Sequence, residues 1–354
     1  MAGRGHKRLQ NFTRMGVYFG RSIPKNMNHR LLLFAFASVC GQLAAAQSSG
    51  YHVTKSFKIG SPGGWDYIAA GPDQKIYVSH GTQVNILDAK TGDSVGVIPN
   101  TTGVHGIAFD GSKGYTSNGR LNTVTVFDLK TAAVLSQINT GTNPDAIMYD
   151  PFTKLVITCN GRSHDLTLID AASGQVVGTI ALDGKPETAV SDEAGKLFVN
   201  IEDKNKITEV DLKSKTVLAS WPLGAEGPTG LAIDVATKRL FAGCDKKLVV
   251  MDATNGNIVA TLPIGDGCDG VGFDSGLKLV FASCGEGKLT VIKEQSASSF
   301  SVIDNVATKR SARTCTVNQQ THEVYLPAAD TEPAAQGERP KQIPGTFGVV
   351  VVGK

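Results

Sequence analysis

Seven polar or charged positions recur along the chain at a nearly constant spacing, and most of their side chains can carry chemistry. In order they are Asp66, His105, Asp145, Glu187, Thr229, Asp269 and Arg313. Neighbouring members are 39 to 44 residues apart. Carboxylates and imidazoles exchange protons or bind cations, and a guanidinium binds carboxylate or phosphate groups. We call these positions the anchor residues; they can act together only if the fold gathers them.

A second set of polar or thiol side chains lies at the end of an apolar run downstream of the first six anchors. Its members are His80, Asn118, Asn160, Asn200, Cys244 and Cys284. Arg162 and His164 follow Asn160 closely in the chain. The residues that we predict to bind a ligand are Asp66, His80, His105, Asp145, Arg162, His164, Glu187, Asp269 and Arg313.

Imidazole and carboxylate groups are also ligands of divalent metals, which can polarise a carbonyl group and activate water. The candidate ligands here come from separate repeats, without the short spacing of a metal motif such as H-x-x-x-H. The chain has no C-x-x-C-H, P-loop or G-x-S-x-G motif. From the sequence we therefore assign no catalytic residue, no metal ligand and no cofactor.

The segment after each anchor contains four short runs rich in β-branched and aromatic residues, separated by turns of Gly, Asn and Asp. Such runs are typical of antiparallel strands, and none has a sustained helical period. Four strands in about 42 residues, repeated seven times, predict an all-β fold. The expected architecture is a seven-bladed β-propeller of four-stranded antiparallel blades. An Asp that ends the third run in most repeats is expected to cap the following turn.

The two ends of the repeat region complement each other. Residues 51–59 match a fourth strand with no blade before it, and the last repeat stops after its third strand at 348–352. We expect the N-terminal strand to pair into the last blade and close the ring, which protects an open sheet edge. Residues 47–354 then form a single β-propeller domain.

The N-terminal region is basic and carries an export signal. The apolar run 31–40 follows Arg30 and precedes Ala44-Ala45-Ala46, which is the pattern of a secretory signal peptide with cleavage after Ala46. We assign the signal peptide to 27–46 and read 1–26 as an extension from a start codon placed too early. Cys40 loosely fits a lipoprotein site, which stays an alternative. The expected location is periplasmic or secreted.

Removing the leader changes the sign of the net charge. The chain has 35 basic and 32 acidic residues, but seven basic residues and no acid lie in 1–46. The remaining 28 basic and 32 acidic residues give about −4. A mildly acidic body argues against binding nucleic acid mainly through its phosphates. No later segment is apolar enough to cross a membrane.

The repeat motif resembles the YVTN (YncE-like) β-propeller family over roughly 51–354. The residues that carry the resemblance are the run 228–234, Pro-Thr-Gly-Leu-Ala-Ile-Asp, and the run 166–170 followed by Ser173-Gly174. The resemblance implies a β-propeller with WD40-like repeats. It leaves the function open, because related propellers include surface and periplasmic proteins, a member that binds single-stranded DNA, and lactonase-like enzymes.

We favour a non-enzymatic scaffold that binds an unknown small molecule or protein through the face around the channel, and we expect a monomer. An enzyme stays possible: the alternative is a lactonase-like or metal-assisted hydrolase that uses the anchor acids with His105 or His80. The second alternative, single-stranded nucleic-acid binding, needs a basic groove with exposed aromatic side chains. The anchors are instead rich in acids.

Two further features of the sequence bear on this face. The Pro-rich loop 329–346 in the last repeat is expected to project beside the channel, with Glu338, Arg339 and Lys341 at its tip. The predicted mature chain has an odd number of cysteines, so at least one has no partner within a monomer. They are Cys159, Cys244, Cys268, Cys284 and Cys315. Cys268 lies near the strand ends that carry Cys244 and Cys284, and either can be its partner.

Overall fold

The computed structural model describes residues 48–333 and 341–354. Their strands form seven four-stranded antiparallel sheets, and the inner strands of successive sheets contact one another around a closed ring. The predicted seven-bladed β-propeller is therefore confirmed. No helix within these two ranges is long and apolar enough to cross a membrane. The assignments of 1–26 and 27–46 lie outside the described residues.

The first three blades follow one another in the chain after an N-terminal strand. Strand β1 is His52–Lys58. Blade 1 contains β2 (Trp65–Ala70), β3 (Lys75–His80), β4 (Gln83–Asp88) and β5 (Ser94–Ile98). Blade 2 contains β6 (Val104–Phe109), β7 (Lys113–Asn118), β8 (Thr123–Asp128) and β9 (Val134–Asn139). Blade 3 contains β10 (Pro144–Asp150), β11 (Leu155–Asn160), β12 (Asp165–Asp170) and β13 (Val176–Ala181).

The last four blades complete the ring. Blade 4 contains β14 (Pro186–Ser191), β15 (Lys196–Ile201), β16 (Lys206–Asp211) and β17 (Thr216–Pro222), with a 3₁₀ turn at Glu202–Lys204. Blade 5 contains β18 (Leu231–Asp234), β19 (Arg239–Cys244), β20 (Lys247–Asp252) and β21 (Ile258–Pro263). Blade 6 contains β22 (Cys268–Asp274), β23 (Leu279–Cys284), β24 (Lys288–Ser296) and β25 (Ser299–Ala307). Blade 7 contains β26 (Thr316–Val317), β27 (Val324–Ala328) and β28 (Gly348–Gly353), completed by β1.

The N-terminal strand closes the ring as expected. Strand β1 pairs antiparallel with β28, and Phe57 lies opposite Val349. Phe57 is 6% exposed and belongs to the apolar core between blades 7 and 1, together with Ile59 and Phe347. Its ring covers Gly92, where a Cβ atom would lie 2.1 Å from the phenyl carbon Cδ1. Blade 7 is therefore held together by the two ends of the repeat region.

The turns that follow the third strands lie at the ends of the blades opposite the anchors. The Asp88 carboxylate accepts hydrogen bonds from the backbone N–H groups of Lys90 (2.9 Å) and Thr91 (2.8 Å). Asp128, Asp170, Asp211 and Asp252 cap the equivalent turns in the next four blades. The predicted capping role of these acids is confirmed.

Several second strands carry a buried tyrosine that donates a hydrogen bond to an acid. The Tyr115 hydroxyl donates to Asp110 Oδ2 at 2.6 Å, and the side chain is 1% exposed. Tyr77 and Tyr325 make the same kind of bond to Asp73 and Glu323. In blades 4, 5 and 6 the corresponding positions are Phe198, Phe241 and Phe281. The apolar ring packs between blades in every case, and the hydroxyl adds a polar contact where an acid is within reach.

Candidate functional site

The inner strands position the anchor residues at one mouth of the channel. Asp66, His105, Asp145, Glu187 and Asp269 are each the second residue of an inner strand. In all five strands the pairing with the next strand shifts immediately after the first residue. This β-bulge releases the anchor from the regular pairing, as bulges do where a side chain must be redirected. We call the face that carries the anchors the channel face.

Arg313 holds two of the anchor acids. Its Nη1 donates to Asp66 Oδ1 at 3.1 Å and also to Asp269 Oδ2, and its Nη2 donates to the Trp65 carbonyl at 3.3 Å. These contacts link blade 7 to blades 1 and 6. Because one guanidinium pairs with two carboxylates, it offsets part of their combined negative charge and holds both side chains in place.

His105 lies between two anchor acids, Asp66 and Asp145. Its Nδ1 is 2.5 Å from Asp66 Oδ2 and 3.7 Å from Asp145 Oδ1. One ligand atom from each residue lies within 4.8 Å of the others, a separation at which the three can hold one metal ion. Asp145 is buried, and its Oδ1 has no hydrogen-bond partner among the described residues. This cluster therefore contains a carboxylate oxygen without a donor.

Lys185 completes the mouth on the side of blade 4, and the sequence analysis missed it. Its Nζ is 2.8 Å from Glu187 Oε2 and also pairs with Glu202, while its backbone N–H donates to Asp203 Oδ1 at 2.7 Å. Its position two residues before the anchor Glu187 could have identified Lys185, because it places both side chains at the start of the same strand.

Burial and neighbouring charges shift the pKa values of the acids at the mouth, lowering that of Asp66 and raising those of the other three. Burial raises the pKa of Asp66, but its bond to His105 and the Arg313 charge outweigh this and leave the pKa below its usual value. Burial raises the pKa of Asp145 to about 6 against the opposing effect of His105. Burial and the Asp145 charge raise the pKa of Glu187 to about 8, despite Lys185. Burial also raises the pKa of Asp269, and Arg313 opposes it.

The histidine of the cluster is shifted toward its charged form. Burial lowers the pKa of His105, but the Asp66 hydrogen bond and the charge of Asp145 outweigh it and raise the pKa above the usual value. The mouth therefore joins a histidine that is more basic than usual to an unpartnered acid.

An open cavity of about 820 Å³ lies over these groups. Its charged lining consists of Asp66, Asp145, Glu187, Asp269, Arg310 and Arg313. Thr331 and Gln342, from the two arms of the 329–346 loop, line it as well. The loop thus borders the channel mouth as expected. Of its predicted tip, Lys341 is exposed, while Glu338 and Arg339 fall in 334–340, outside the described residues.

Four of the predicted ligand-binding residues do not line this cavity. One is His105, which contacts the lining acids Asp66 and Asp145. His80 is fully buried, contacts Ser61 Oγ through Nδ1 (2.7 Å) and the Gly63 carbonyl through Nε2 (2.9 Å), and stacks on Phe347. Its environment is that of a hydrogen-bonded core histidine, a correction to its expected place at the mouth. Arg162 and His164 are exposed in the turn between β11 and β12, away from the cavity lining.

The strand register separates the two partners considered for Cys268. Cys268 lies directly opposite Cys284 in the β22–β23 pair, and both belong to the core between blades 5 and 6. Cys244 packs in the core between blades 4 and 5 instead. The five cysteines within 48–333 are free thiols in this structure. Cys284 is therefore the neighbour with which Cys268 can pair.

Comparisons with known proteins identify the fold. The sequence matches no protein-family model and no curated protein. The hydrazine synthase of Kuenenia stuttgartiensis is similar with a TM-score of 0.66 at 15% identity, covering 77% of this chain and 94% of that one. The WD40 repeats of RRP9 give 0.72 at 10% identity, with coverage of 86% and 98%. U3-55K gives 0.71 at 10% identity, with coverage of 85% and 98%.

These structural similarities support a β-propeller with WD40-like repeats, and at such low sequence identity they carry no information about a ligand. Membership of the YVTN family stays a prediction from the sequence motif.

Proposed function

We propose that the chain is an exported, YVTN-type β-propeller that acts as a non-enzymatic binding scaffold through its channel face. The observation that carries the proposal is the 820 Å³ cavity whose charged lining comes from separate blades. A cavity of this size, with a few convergent polar groups, is the usual form of a ligand site. The ligand is a small molecule or a side chain of a protein partner.

The electrostatics of the mouth favour a ligand that carries positive charge. Four anchor carboxylates line the cavity against the permanent cations Arg310 and Arg313, and Lys185 pairs with Glu187 beside it. Burial at this mouth disfavours unpaired anions, so a cationic group that pairs with Asp145 or Glu187 replaces lost solvation. A rigid ring that holds these groups in place can bind such a group without a large rearrangement.

Site-specific photo-crosslinking tests this proposal. A photoreactive amino acid at Gln342, beside the cavity, is compared with one at Gln320, in the turn between β26 and β27 on the opposite face. In an extract of the source cells, or with a library of amine-containing compounds, Gln342 should capture the ligand and Gln320 should not. Adding Asp145→Asn and Glu187→Gln should reduce capture. Equal capture at both faces, or capture unchanged by the two substitutions, would overturn the proposal.

The second candidate function is a metal-assisted hydrolase. It is favoured by the convergence of His105 with Asp66 and Asp145, two acids that line the cavity. A metal ion held there can polarise a carbonyl group or lower the pKa of bound water. Hydrolysis of lactones or esters by the purified protein, lost in His105→Gln, would favour the enzyme over the scaffold. Single-stranded nucleic acid is the weakest candidate, because the mouth is lined mainly by acids.

Export also stays a proposal. It rests on the leader motif in 27–46. Expression of the full chain in a bacterium with a periplasm, followed by N-terminal sequencing, should show cleavage after Ala46. A cytosolic product that keeps its leader would contradict it.

A further inference from the structure

We propose that Asp66, His105 and Asp145 bind one first-row divalent metal ion at the mouth of the channel. The inference rests on the proposed function in one respect, since the ion would form part of the floor of the same cavity. It assigns metal ligands where the sequence analysis assigned none.

The three side chains have the right spacing. Their ligand atoms lie within 4.8 Å of one another, and Nδ1 of His105 is 2.5 Å from Asp66 Oδ2 and 3.7 Å from Asp145 Oδ1. Metal–ligand bonds of about 2.0–2.2 Å place neighbouring ligand atoms roughly 3 to 3.5 Å apart. Side-chain movements of about 1 Å would meet this geometry, with the inner strands held in place by their sheets.

Asp145 provides an independent reason to expect an ion. The residue is 8% exposed, and its Oδ1 has no hydrogen-bond partner among the described residues. Nδ1 of His105 is 3.7 Å from this oxygen, and its short contact is with Asp66. A buried carboxylate oxygen without a partner is costly, because it has lost water and gained nothing in return. A metal ion between the three groups would satisfy that oxygen.

The charge balance of the mouth points the same way. The ligand set contains two carboxylates, and Arg313 contacts Asp66 but not Asp145. Within the described ranges Asp145 has no ion pair with a lysine or arginine, so a divalent ion would supply positive charge where the cluster lacks it. Arg313 is nearest to the site, but its charge is shared with Asp269, and its bond to Asp66 Oδ1 (3.1 Å) fixes the orientation of that carboxylate. Outer partners of this kind orient metal ligands in many proteins.

The packing of His105 turns Nδ1 toward the two acids. Its opposite edge lies against Gly119, where a Cβ atom would be only 2.7 Å from Nε2. Glycine at this position therefore leaves room for the imidazole ring. The ligand set, one imidazole and two carboxylates, is mixed in nitrogen and oxygen, which suits Zn²⁺ or Mn²⁺ better than Ca²⁺. Three protein ligands leave a coordination position open toward the cavity.

A zinc titration tests the inference. The protein spanning 47–354 is stripped with a chelator, dialysed and titrated with ZnCl₂ by calorimetry. We expect one ion per chain with a Kd below about 10 µM. Either Asp145→Asn or His105→Gln should lower the affinity at least about 100-fold, because loss of an outer partner alone costs about 10–100-fold. His322→Gln is the matched control, because His322 makes a similar contact to Asp274 (2.7 Å) outside this cavity.

The outcomes separate clearly. Failure of the wild-type protein to bind Zn²⁺ below 100 µM overturns the inference, as does unchanged affinity in both ligand variants or an equal loss in His322→Gln. Circular dichroism checks that each variant folds; if neither ligand variant folds, Gly119→Ala, which displaces the imidazole, takes their place. A protein that binds no zinc but still captures a ligand at Gln342 refutes the metal alone. Zinc binding without capture refutes the scaffold alone.

Discussion

Replacing Arg313 tests the electrostatic organisation of the channel mouth. Arg313→Met keeps much of the length of the side chain and removes its charge. Asp66 and Asp269 would then lose the guanidinium that pairs with both. We expect destabilisation, because two largely buried carboxylates are left without their cation.

The structure sets the size of the effect. Breaking a buried ion pair by removing one partner costs about 3–5 kcal/mol, and exposed pairs contribute about 0–1 kcal/mol. The Arg313 side chain is 35% exposed, so solvent screens part of the interaction. We therefore expect a loss of about 2–3 kcal/mol in the free energy of unfolding. For a domain of this size that corresponds to roughly 5 °C in Tm.

Urea unfolding in the presence of a chelator provides the assay, since any bound ion would stabilise the folded state. The double variant Arg313→Met/Asp269→Asn carries one stranded charge fewer. It should therefore recover about 1 kcal/mol relative to the single variant. A single variant within 0.5 kcal/mol of wild type, or a double variant less stable than the single one, would show that the ion pairs do not organise this mouth.

Three further predictions concern the ring itself. Tyr115→Phe should cost about 1–2 kcal/mol at pH 7 by urea unfolding. Burial raises the pKa of Asp110, but hydrogen bonds from Tyr115 and the backbone outweigh it and hold the pKa below 3.8. The stabilisation by this hydrogen bond is therefore present above about pH 4. The cost of Tyr115→Phe should shrink as the pH falls through the folded-state pKa of Asp110. Phe57→Ala should cost about 3–4 kcal/mol and promote aggregation, since it loosens the strand that protects β28. Oxidised glutathione should oxidise Cys268 and Cys284 to a disulfide and be reduced to two glutathione thiols. Peptide mapping would detect the new disulfide.

Each of these has a matched control in the same chain. Tyr149→Phe removes a hydroxyl with no hydrogen bond within the described ranges and should cost less than Tyr115→Phe at every pH. Val53→Ala lies on the same strand as Phe57 but is 40% exposed, so it should cost below about 0.5 kcal/mol. Cys159 packs in the core between blades 3 and 4 and should stay reduced. Equal effects in a test variant and its control would contradict the corresponding argument.

The fold was accessible from the sequence because each blade is made from local pairings. Each of blades 1 to 6 contains four consecutive strands, so the spacing of the anchors indicates the architecture directly. The convergence of Asp66, His105 and Asp145 was accessible for the same reason, since equivalent strand starts meet at one mouth. The sequence did not show which acid contacts His105 most closely, because that depends on side-chain positions across neighbouring blades.

The environment of His80 depended on contacts that no repeat pattern encodes. Its ring stacks on Phe347, which comes from the far end of the chain. Ser61 and Gly63, which bond its two nitrogens, lie in the irregular segment before blade 1. The partner of Cys268 likewise required the register of β22 and β23. These features follow from packing between blades, which the repeat does not specify.

The pairing of β1 with β28 has a consequence for biosynthesis. His52 lies opposite Gly353, so the pairing joins residues about 300 positions apart. During synthesis blades 1 to 6 can form in order, but blade 7 has to wait for the last strand to leave the ribosome or a translocation pore. Contacts at such sequence separation form slowly, and unpaired strand edges invite mispairing with other chains in the meantime. The final step of folding is therefore the stage at which a chaperone that shields β1 would be most useful.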